Sequence, residues 1–369
     1  MLELIPPGLN IDFVSKAKFF ITASLLIIVL GVMSLIVRGG FNEGIDFSGG
    51  TLVQLRLSQP ADLRVIRETL ATLGIDTAIV QHYGDEREVL IRVAQHAAAG
   101  QDIGKQVQHT LQDRLGGQPI ELRRVEIVGP QASADLRQKA LFALFYATLG
   151  IVAYISGRFE GKWVIAVSLA TLLFAITYTL TQWLPGISPA VLIIVALLVS
   201  TVFNVLLQLR FALAALVAIY HDVLITASFL SFWHIEFDLQ IVVALLTITG
   251  YSLYDTIVVF DRIRENMGRQ RQEHFPALVN ASINQTLSRT VLTSGHTMLV
   301  LLALYCFGGK GLHGFAFALL IGILSGTYST IFIASPILVY WHRLTAKLQA
   351  GTFVLGLVRS HRASESSQR

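Results

Sequence analysis

Charged residues and cysteine are both scarce in this chain of 369 residues. Only 14% of the residues are charged, whereas soluble domains carry roughly 25%. Cys306 is the one cysteine, which excludes an intramolecular disulfide and a metal site built from cysteines. The sequence also lacks a phosphate-binding loop, a nucleophile elbow and metal-ligand spacing. We therefore expect neither an enzyme nor a bound cofactor or metal.

Long apolar runs dominate the composition instead. Hydrophobic residues make up 53% of the chain, and its mean hydropathy is +0.62. An apolar helix of about 20 residues is long enough to cross the hydrocarbon of a bilayer. The runs predict a polytopic α-helical membrane protein with about eight spans, and the net charge of +4 does not indicate nucleic-acid binding. The predicted membrane segments are a first span at 17–37, a second at 138–158, a two-span hairpin at 163–209, and four spans within 211–341 that include a polar loop at 262–286.

One polar portion, residues 38–137, separates the first span from the second. Its apolar residues alternate in some stretches and follow helical spacing in others. The resulting order is strand, helix, strand, strand, helix, strand, which is the ferredoxin-like arrangement of an α+β domain. At about 100 residues such a domain can bury its own core. The predicted elements are at 51–57, 61–73, 78–83, 88–94, 102–115 and 120–128, with a turn at 84–87.

The distribution of basic residues predicts the orientation in the membrane. Lys16 and Lys18 precede the first span, and Arg262 and Arg264 follow a later one, whereas the short loops on the other side hold only Lys310. Basic residues favour the cytoplasmic side. We therefore expect a cytoplasmic segment at 1–16, a cytoplasmic tail at 342–369 and an extracytoplasmic polar domain. The first span is too long for a cleaved signal sequence, so we interpret it as an anchor.

Titratable residues lie within three consecutive predicted spans. They are Asp222, Asp255, and the pair Arg289 and His296. An ionisable group inside a span costs roughly 2.5–3.5 kcal/mol and usually faces a partner or a water-filled path. An acid such as Asp255 that pairs with Arg289 and exchanges a proton is the minimum part of a proton relay, with Asp222 as a second acid. A static ion pair that locks helix packing is the alternative, as is an Arg289 that only reaches the inner interface.

The segment 44–51, directly after the first span, reads Gly-Ile-Asp-Phe-Ser-Gly-Gly-Thr. It resembles the conserved motif of the SecF family, which belongs to the RND superfamily. Residues 211–226, 236–266 and 286–309 resemble the later spans of that family in the same order. The resemblance implies an RND-type helical bundle. The motif residues that carry it are Gly44, Asp46, Phe47, Gly49 and Gly50.

The resemblance also implies a function. SecF proteins work with SecD in the bacterial cytoplasmic (inner) membrane and use the proton motive force to promote preprotein export through the SecYEG channel. The implied partners are SecD, SecYEG and an unfolded preprotein, with YajC and YidC as further candidates. By position, the essential acid of the family corresponds to Asp255 and its conserved arginine to Arg289, while Asp222 lies in a His-Asp-Val motif.

The chain departs from the family pattern at three places. Tyr254 stands where the family usually has asparagine, and His296 stands where it has threonine. Together with Tyr251, these residues are candidate neighbours of the relay. The third departure is the hairpin 163–209, because SecF proteins normally have six spans. Two added spans preserve the orientation of everything that follows.

Two other functions remain open at this stage. A stand-alone RND-type exporter of lipids or small molecules is one, although a small external domain and six core spans are only half of such a transporter. A structural assembly factor with an inert ion pair is the other. The sequence does not distinguish H⁺ from Na⁺ as the coupling ion.

Overall fold

The computed structural model describes residues 10–75, 78–93, 103–184, 187–269 and 274–346. The helices in these ranges are α1 (Phe13–Arg38), α2 (Ile45–Ser48), α3 (Leu63–Thr72), α4 (Ile103–Arg114), α5 (Pro130–Glu160), α6 (Trp163–Trp183), α7 (Pro189–Leu206), α8 (Arg210–Phe232), α9 (Leu239–Arg269), α10 (Phe275–Phe307) and α11 (Lys310–Ser329). A π-helical segment, Thr330–Ala334, continues α11 toward residue 346. The strands are β1 (Asn42–Glu43), β2 (Gly50–Leu57), β3 (Ile79–Tyr83), β4 (Asp85–Val93), β5 (Ile120–Val128) and β6 (Glu236–Phe237).

Among the described residues, eight helices, α1 and α5 to α11, are long and apolar enough to cross a membrane. This confirms the prediction of a polytopic helical membrane protein with about eight spans. The centre of the bundle consists of α8, α9 and α11, whose sides are mostly buried. In contrast, α1, α6, α7 and α10 leave most of their surface exposed. The central helices therefore hold the positions in which polar side chains are shielded from lipid.

Two glycines let α11 approach α9 closely. A Cβ atom on Gly322 would lie 2.2 Å from the side chain of Ile248, and one on Gly326 would lie 2.9 Å from Ser252. Contacts this short leave no room for a side chain, so only glycine fits at either position. Small residues four positions apart on one helix face are typical of such close packing between membrane helices.

The described residues of the predicted polar loop 262–286 are almost all helical, and residues 270–273 of that loop lie outside the described residues. Helix α9 continues to Arg269, and α10 begins at Phe275. Beyond its apolar part, α9 is stabilised by ion pairs along the helix, in which Glu265 lies 2.8 Å from Arg262 and 2.9 Å from Arg269. Apolar runs reveal which residues lie in lipid, but a helix continues into water wherever its polar side chains support it.

The first helix also begins earlier than the predicted span at 17–37. Asn280 and Asn284 of α10 each accept a hydrogen bond from the backbone just before or at the start of α1, from Phe13 N–H (2.8 Å) and Ile11 N–H (3.0 Å) respectively. Both asparagine amides also donate to the carbonyl of Ile11, at 2.9 Å. These bonds attach the N-terminal end of α1 to α10, so the helix starts at Phe13.

The polar portion between α1 and α5 contains an antiparallel four-stranded sheet in the order β3-β4-β2-β5, with α3 and α4 packed on one face. Its strands and helices follow one another in the predicted order. The predicted turn at 84–87 is wrong, because β4 begins at Asp85, which pairs with Tyr83 across Gly84. Gly84 has φ +83°, a value that glycine adopts readily. The polar residues after it are exposed strand residues.

The added hairpin, α6 and α7, packs against α5 through an apolar cluster that includes Phe145, Leu149 and Leu173. Its two ends lie side by side. Glu160 Oε1, at the end of α5, accepts a hydrogen bond from Phe211 N–H at the start of α8, at 2.9 Å. The chain therefore leaves the bundle and returns to it at one point. The hairpin packs beside the other six spans, which form a continuous unit without it.

Candidate functional site

The carboxylate of Asp255 lies at the interface of α9 and α10. Its residue is 2% exposed, and its Oδ2 accepts a hydrogen bond from the Ser294 hydroxyl of α10 at 3.0 Å. This is the one hydrogen bond to its carboxylate from a described side chain. Burial makes the ionised form of a carboxylate with few fixed donors costly, and protonation disturbs few hydrogen bonds. Asp255 therefore has the surroundings of a group that can change its charge.

The expected contact between Asp255 and Arg289 is not formed. Arg289 Nη2 donates instead to the Tyr254 hydroxyl at 2.8 Å, and the guanidinium carbon lies 5.6 Å from the centre of the Tyr254 ring. The reason is helical phase. Ser294 follows Arg289 by five residues, which is about 140° around a helix. When Ser294 faces Asp255, Arg289 faces its neighbour Tyr254.

Arg289 and Tyr254 lie on an outer face of the bundle. Tyr254 is 51% exposed, and Arg289 is exposed as well. Within the described ranges, the guanidinium has no carboxylate within ion-pair distance. An arginine on the membrane-facing surface of a span needs a polar partner or water. This face is therefore suited to contact with another polar surface within the membrane.

A cavity of about 470 Å³ leads to this face from the C-terminal parts of α5 and α9 and the N-terminal half of α10. At its rim, Arg158 Nη2 lies 2.6 Å from Asp261 Oδ2. Because the cavity is polar and open, water can reach Arg289 and Tyr254 through it. Its polar lining residues are Tyr154, Arg158, Tyr254, Asp261, Arg262, Glu265, Gln285, Thr286 and Arg289.

Asp222 has different surroundings from Asp255. It is 1% exposed, and four groups lie within hydrogen-bond distance of its carboxylate. His221 Nδ1 (2.9 Å) and the Ser325 hydroxyl (2.7 Å) contact Oδ1, while the hydroxyls of Ser252 (2.5 Å) and Ser329 (2.9 Å) donate to Oδ2. An ionised carboxylate has about four acceptor positions, so this set satisfies it completely. The arrangement fixes α8 to α9 and α11.

The hydrogen-bonded network continues from Asp222 to the first helix. His221 Nε2 lies 2.9 Å from the Tyr328 hydroxyl, which lies 2.9 Å from the Ser24 hydroxyl of α1. The sequence singled out Asp222 and missed this network. The available signal was the spacing of Ser325 and Ser329, which places two hydroxyls on one face of an otherwise apolar helix.

The other predicted neighbours of the relay make their own contacts. The Tyr251 hydroxyl donates to the carbonyl of Thr293 at 3.2 Å. His296 is exposed, and its Nδ1 donates to the carbonyl of Leu292 at 2.7 Å. A role for Tyr251 and His296 in the relay stays a prediction. In the ranges that the structure describes, no group of three or more histidine, cysteine, aspartate or glutamate residues could hold a metal ion.

The glycine motif lies directly after α1, beside the N-terminal end of α9. Gly49 and Gly50 have φ values of +70° and +120°, which explains the need for glycine at both positions. Phe47 is buried and packs near Phe237, with ring centres 5.7 Å apart. Asp46 Oδ2 accepts a hydrogen bond from Leu239 N–H, the first residue of α9, at 3.0 Å.

Several carboxylates lie close together where the motif meets β6 and the start of α9. Burial raises the pKa of Asp238 above its ordinary value, and the nearby carboxylates of Glu236 and Asp46 add to the rise. The hydrogen bond from Ile241 N–H, at 2.9 Å, opposes it. The motif is about 24 Å from Asp255 along α9, since 16 residues separate Leu239 from Asp255.

Comparisons with known families agree with the resemblance in the sequence. The model of the family described as "Protein export membrane protein SecD/SecF, C-terminal" matches residues 107–199 and 187–344. The model described as "SecD/SecF GG Motif" matches residues 34–61. The first match contains Asp222, Asp255 and Arg289, and the second contains the glycine motif.

Curated relatives cover nearly the whole chain. The protein translocase subunit SecF of Desulfurispirillum indicum is 37% identical over 337 residues, which is 90% of this chain and 91% of the relative. The protein of the same name from Magnetococcus marinus is 40% identical over 331 residues, or 89% of this chain and 91% of the relative.

A solved structure shares the fold. The crystal structure of SecDF, a translocon-associated membrane protein from Thermus thermophilus, superposes with a TM-score of 0.66 at 31% identity. The superposition covers 91% of this chain and 39% of the SecDF chain, so this chain corresponds to about two fifths of that protein.

Proposed function

Because the chain belongs to the SecF family of protein translocase subunits, we propose that it uses the proton motive force, together with SecD, to promote preprotein export through the Sec channel. The observation that carries the mechanism is the position of Asp255. It is a buried carboxylate inside a membrane-spanning bundle, with a single serine hydroxyl as its hydrogen-bond donor among the described side chains. Such a group can take up a proton on one side of the membrane and release it on the other.

Arg289 is the proposed second member of the relay. In the observed arrangement it is bound to Tyr254, next to Asp255 on α9, and not to the acid itself. A rotation of its side chain toward Asp255 would stabilise the ionised carboxylate, and protonation would release it again. Asp222 is the third proposed member. Its contact with Ser252, three residues before Asp255 on α9, brings its network next to the first acid.

SecD is the proposed partner for the face that carries Arg289 and Tyr254. The exposed guanidinium supports this, because it would be costly in contact with lipid alone. The SecDF structure supports it as well, since this chain spans only 39% of that protein and a second subunit would supply the remainder. We further propose contact with SecYEG and the preprotein, with YajC and YidC as additional partners, in the bacterial inner membrane with both termini in the cytoplasm. The alternative of a stand-alone lipid or small-molecule exporter is not favoured, because the relatives above are translocase subunits.

Export into inverted membrane vesicles tests this function. Vesicles that lack SecD and SecF are supplied with SecD alone or with SecD and this chain. We expect the complete pair to increase the rate of preprotein export, and an uncoupler to remove the increase. An increase that survives the uncoupler would contradict the use of the proton motive force. Absence of any increase would contradict the export function.

Replacement of Tyr254 is expected to change the pH dependence of export. Tyr254→Asn removes the hydroxyl and the ring that hold Arg289, so the guanidinium can approach Asp255 and favour its ionised form. We expect the pH profile of export to move toward lower pH by about one unit. Tyr254→Phe is the matched control, since it keeps the ring under the guanidinium and loses only the hydrogen bond. It should give a smaller shift in the same direction, and identical profiles for all three chains would mean that the phenol only packs.

A further inference from the structure

The glycine motif has no part in the proposed relay, yet it is bonded to the helix that carries the relay acid. Asp46 lies in α2, directly after the first membrane span, and α9 begins 193 residues later at Leu239. The Asp46 carboxylate accepts the N–H of that residue at 3.0 Å. The start of α9 is therefore held by a side chain from a distant part of the sequence.

The N-terminus of α9 needs such a partner. The first four N–H groups of a helix have no acceptor within the helix, and the helix dipole favours negative charge at that end. Asp238 satisfies one of them, since its Oδ1 accepts from Ile241 N–H at 2.9 Å. Asp46 satisfies the N–H of Leu239. One cap is local, whereas the other joins α9 to the motif.

The motif is in turn bonded to the external sheet. Arg92, on β4 at the centre of the sheet, lies 2.5 Å from the carboxylate of Glu236 and donates to the carbonyl of Glu43 at 3.0 Å. These two acceptors belong to the parallel strands β6 and β1, which pair with each other. Gly44 N–H donates to the carbonyl of Phe237 at 2.8 Å. Sheet, motif and the start of α9 thus form one hydrogen-bonded unit.

The fit at this junction is close. A Cβ atom on Gly44 would lie 3.0 Å from Glu236 Oε1 and 3.2 Å from the side chain of Asp238. On the other side, Arg137 of α5 donates to the carbonyl of Phe47 at 2.9 Å and is also ion-paired with Glu43. A side chain on Gly44 would therefore separate the strands that hold Asp46 in place.

We propose that Asp46 is a positioning residue that couples α9 to the external domain. A movement of α9 that accompanies proton exchange at Asp255 is transmitted through the Asp46 cap to β1, β6 and Arg92, and so to the sheet. This inference rests on the proposed relay, because it concerns the helix that carries Asp255. It assigns to the glycine motif the mechanical connection between the membrane site and the extracytoplasmic domain.

A distance measurement across the complex tests this coupling. With Cys306→Ser as background, spin labels are placed at Glu86→Cys on the exposed start of β4 and at Gly268→Cys near the inner end of α9, where a side chain meets no neighbour. The distance distribution is recorded for the full chain with SecD in proteoliposomes. The distribution for the chain that retains Asp255 is compared with the distribution for Asp255→Asn, in which asparagine represents the neutral acid.

We expect Asp255→Asn to shift the distance distribution in the chain that retains Asp46. In the chain with Asp46→Ala, we expect Asp255→Asn to cause no shift. Asp46→Asn keeps a carbonyl acceptor for Leu239 N–H and should restore the shift. Asp62→Ala is the matched control, because Asp62 caps α3 in the same domain through Arg64 N–H at 2.9 Å but does not touch α9. It should leave the shift unchanged.

A second variant removes the same hydrogen bond from the other side. Leu239→Pro lacks the donor, and proline is well tolerated at the first position of a helix. It should abolish the shift as Asp46→Ala does, and it keeps the test decisive if Asp46→Ala does not assemble. In both variants, amide hydrogen exchange in the first turn of α9 should be about fivefold faster, which corresponds to the loss of one cap.

Two outcomes would overturn the proposal. One is a shift of equal size with and without the Asp46 hydrogen bond. The other is the absence of any shift in the chain that retains Asp46, since no movement would then be transmitted. Neither outcome bears on the relay itself, which the vesicle export assay tests separately with the same Asp255→Asn chain.

Discussion

Asp255→Asn is expected to abolish the part of preprotein export that depends on the proton motive force, while the chain still assembles with SecD. Asparagine has the shape of aspartate and keeps a carbonyl oxygen for the Ser294 hydroxyl, so the contact between α9 and α10 is retained. It cannot bind and release a proton near neutral pH. The measurement is the export rate into inverted vesicles with and without an uncoupler, at equal amounts of assembled complex.

Asp261→Asn is the matched control for this variant. Asp261 lies on the same helix, six residues further toward the inner end, and pairs with Arg158 at an exposed position. Exposed ion pairs contribute little to stability, about 0–1 kcal/mol, so export should be almost unchanged. Normal export by Asp255→Asn would exclude a relay through this residue. A failure of Asp255→Asn to assemble with SecD would favour a structural role for Asp255 in helix packing instead.

Asp222→Ala is expected to lower the free energy of unfolding by about 3–5 kcal/mol, the cost of removing one partner from a buried charged network. The substitution leaves His221 and the hydroxyls of Ser252, Ser325 and Ser329 without their common acceptor. The serines can rotate toward backbone carbonyls of their own helices, which keeps the loss below the sum of four separate bonds. Unfolding in mixed detergent micelles measures the difference.

Asp222→Asn provides the comparison that isolates the charge. Asparagine keeps one acceptor oxygen and has an NH₂ group in place of the other. A serine hydroxyl can accept a hydrogen bond from that group. We expect a smaller loss than for alanine. If Asp222→Ala is as stable as the unchanged chain, the four-donor arrangement contributes nothing to the fold, and the assignment of Asp222 as the anchor of α8, α9 and α11 is wrong.

The membrane-spanning character of the chain was readily predicted from its sequence, because burial in lipid imposes about 20 apolar residues on every span. The order of elements in the polar domain was equally easy to predict, since strands and helices have different apolar periods. Helix ends were not. The residues after the apolar part of α9 are polar, yet ion pairs around Glu265 extend the helix to Arg269.

The contacts within the site were harder to predict than its residues. Asp255, Arg289 and Asp222 stand out in the sequence because charge is costly in apolar spans. Their partners depend on the rotation of each helix about its axis, which composition does not determine. The same limit hid the bond between Arg289 and Tyr254 and the four donors around Asp222.

The role of the glycine motif shows a different limit. Its positive φ values explain Gly49 and Gly50 from local geometry. The hydrogen bond that Leu239 N–H donates to Asp46, however, joins residues 193 positions apart, and no local pattern indicates which helix Asp46 would cap. Resemblance to a family identified the motif without explaining it.

Proton movement through the reconstituted complex tests the central claim most directly. Proteoliposomes with SecD and this chain, loaded with a pH-sensitive dye, are compared with those containing Asp255→Asn and Asp261→Asn during export. We predict that a proton gradient drives dye-detected proton flux in the unchanged chain and in Asp261→Asn, and that Asp255→Asn abolishes it. Flux through Asp255→Asn equal to that of the unchanged chain would contradict the assignment of Asp255 as the proton-carrying acid.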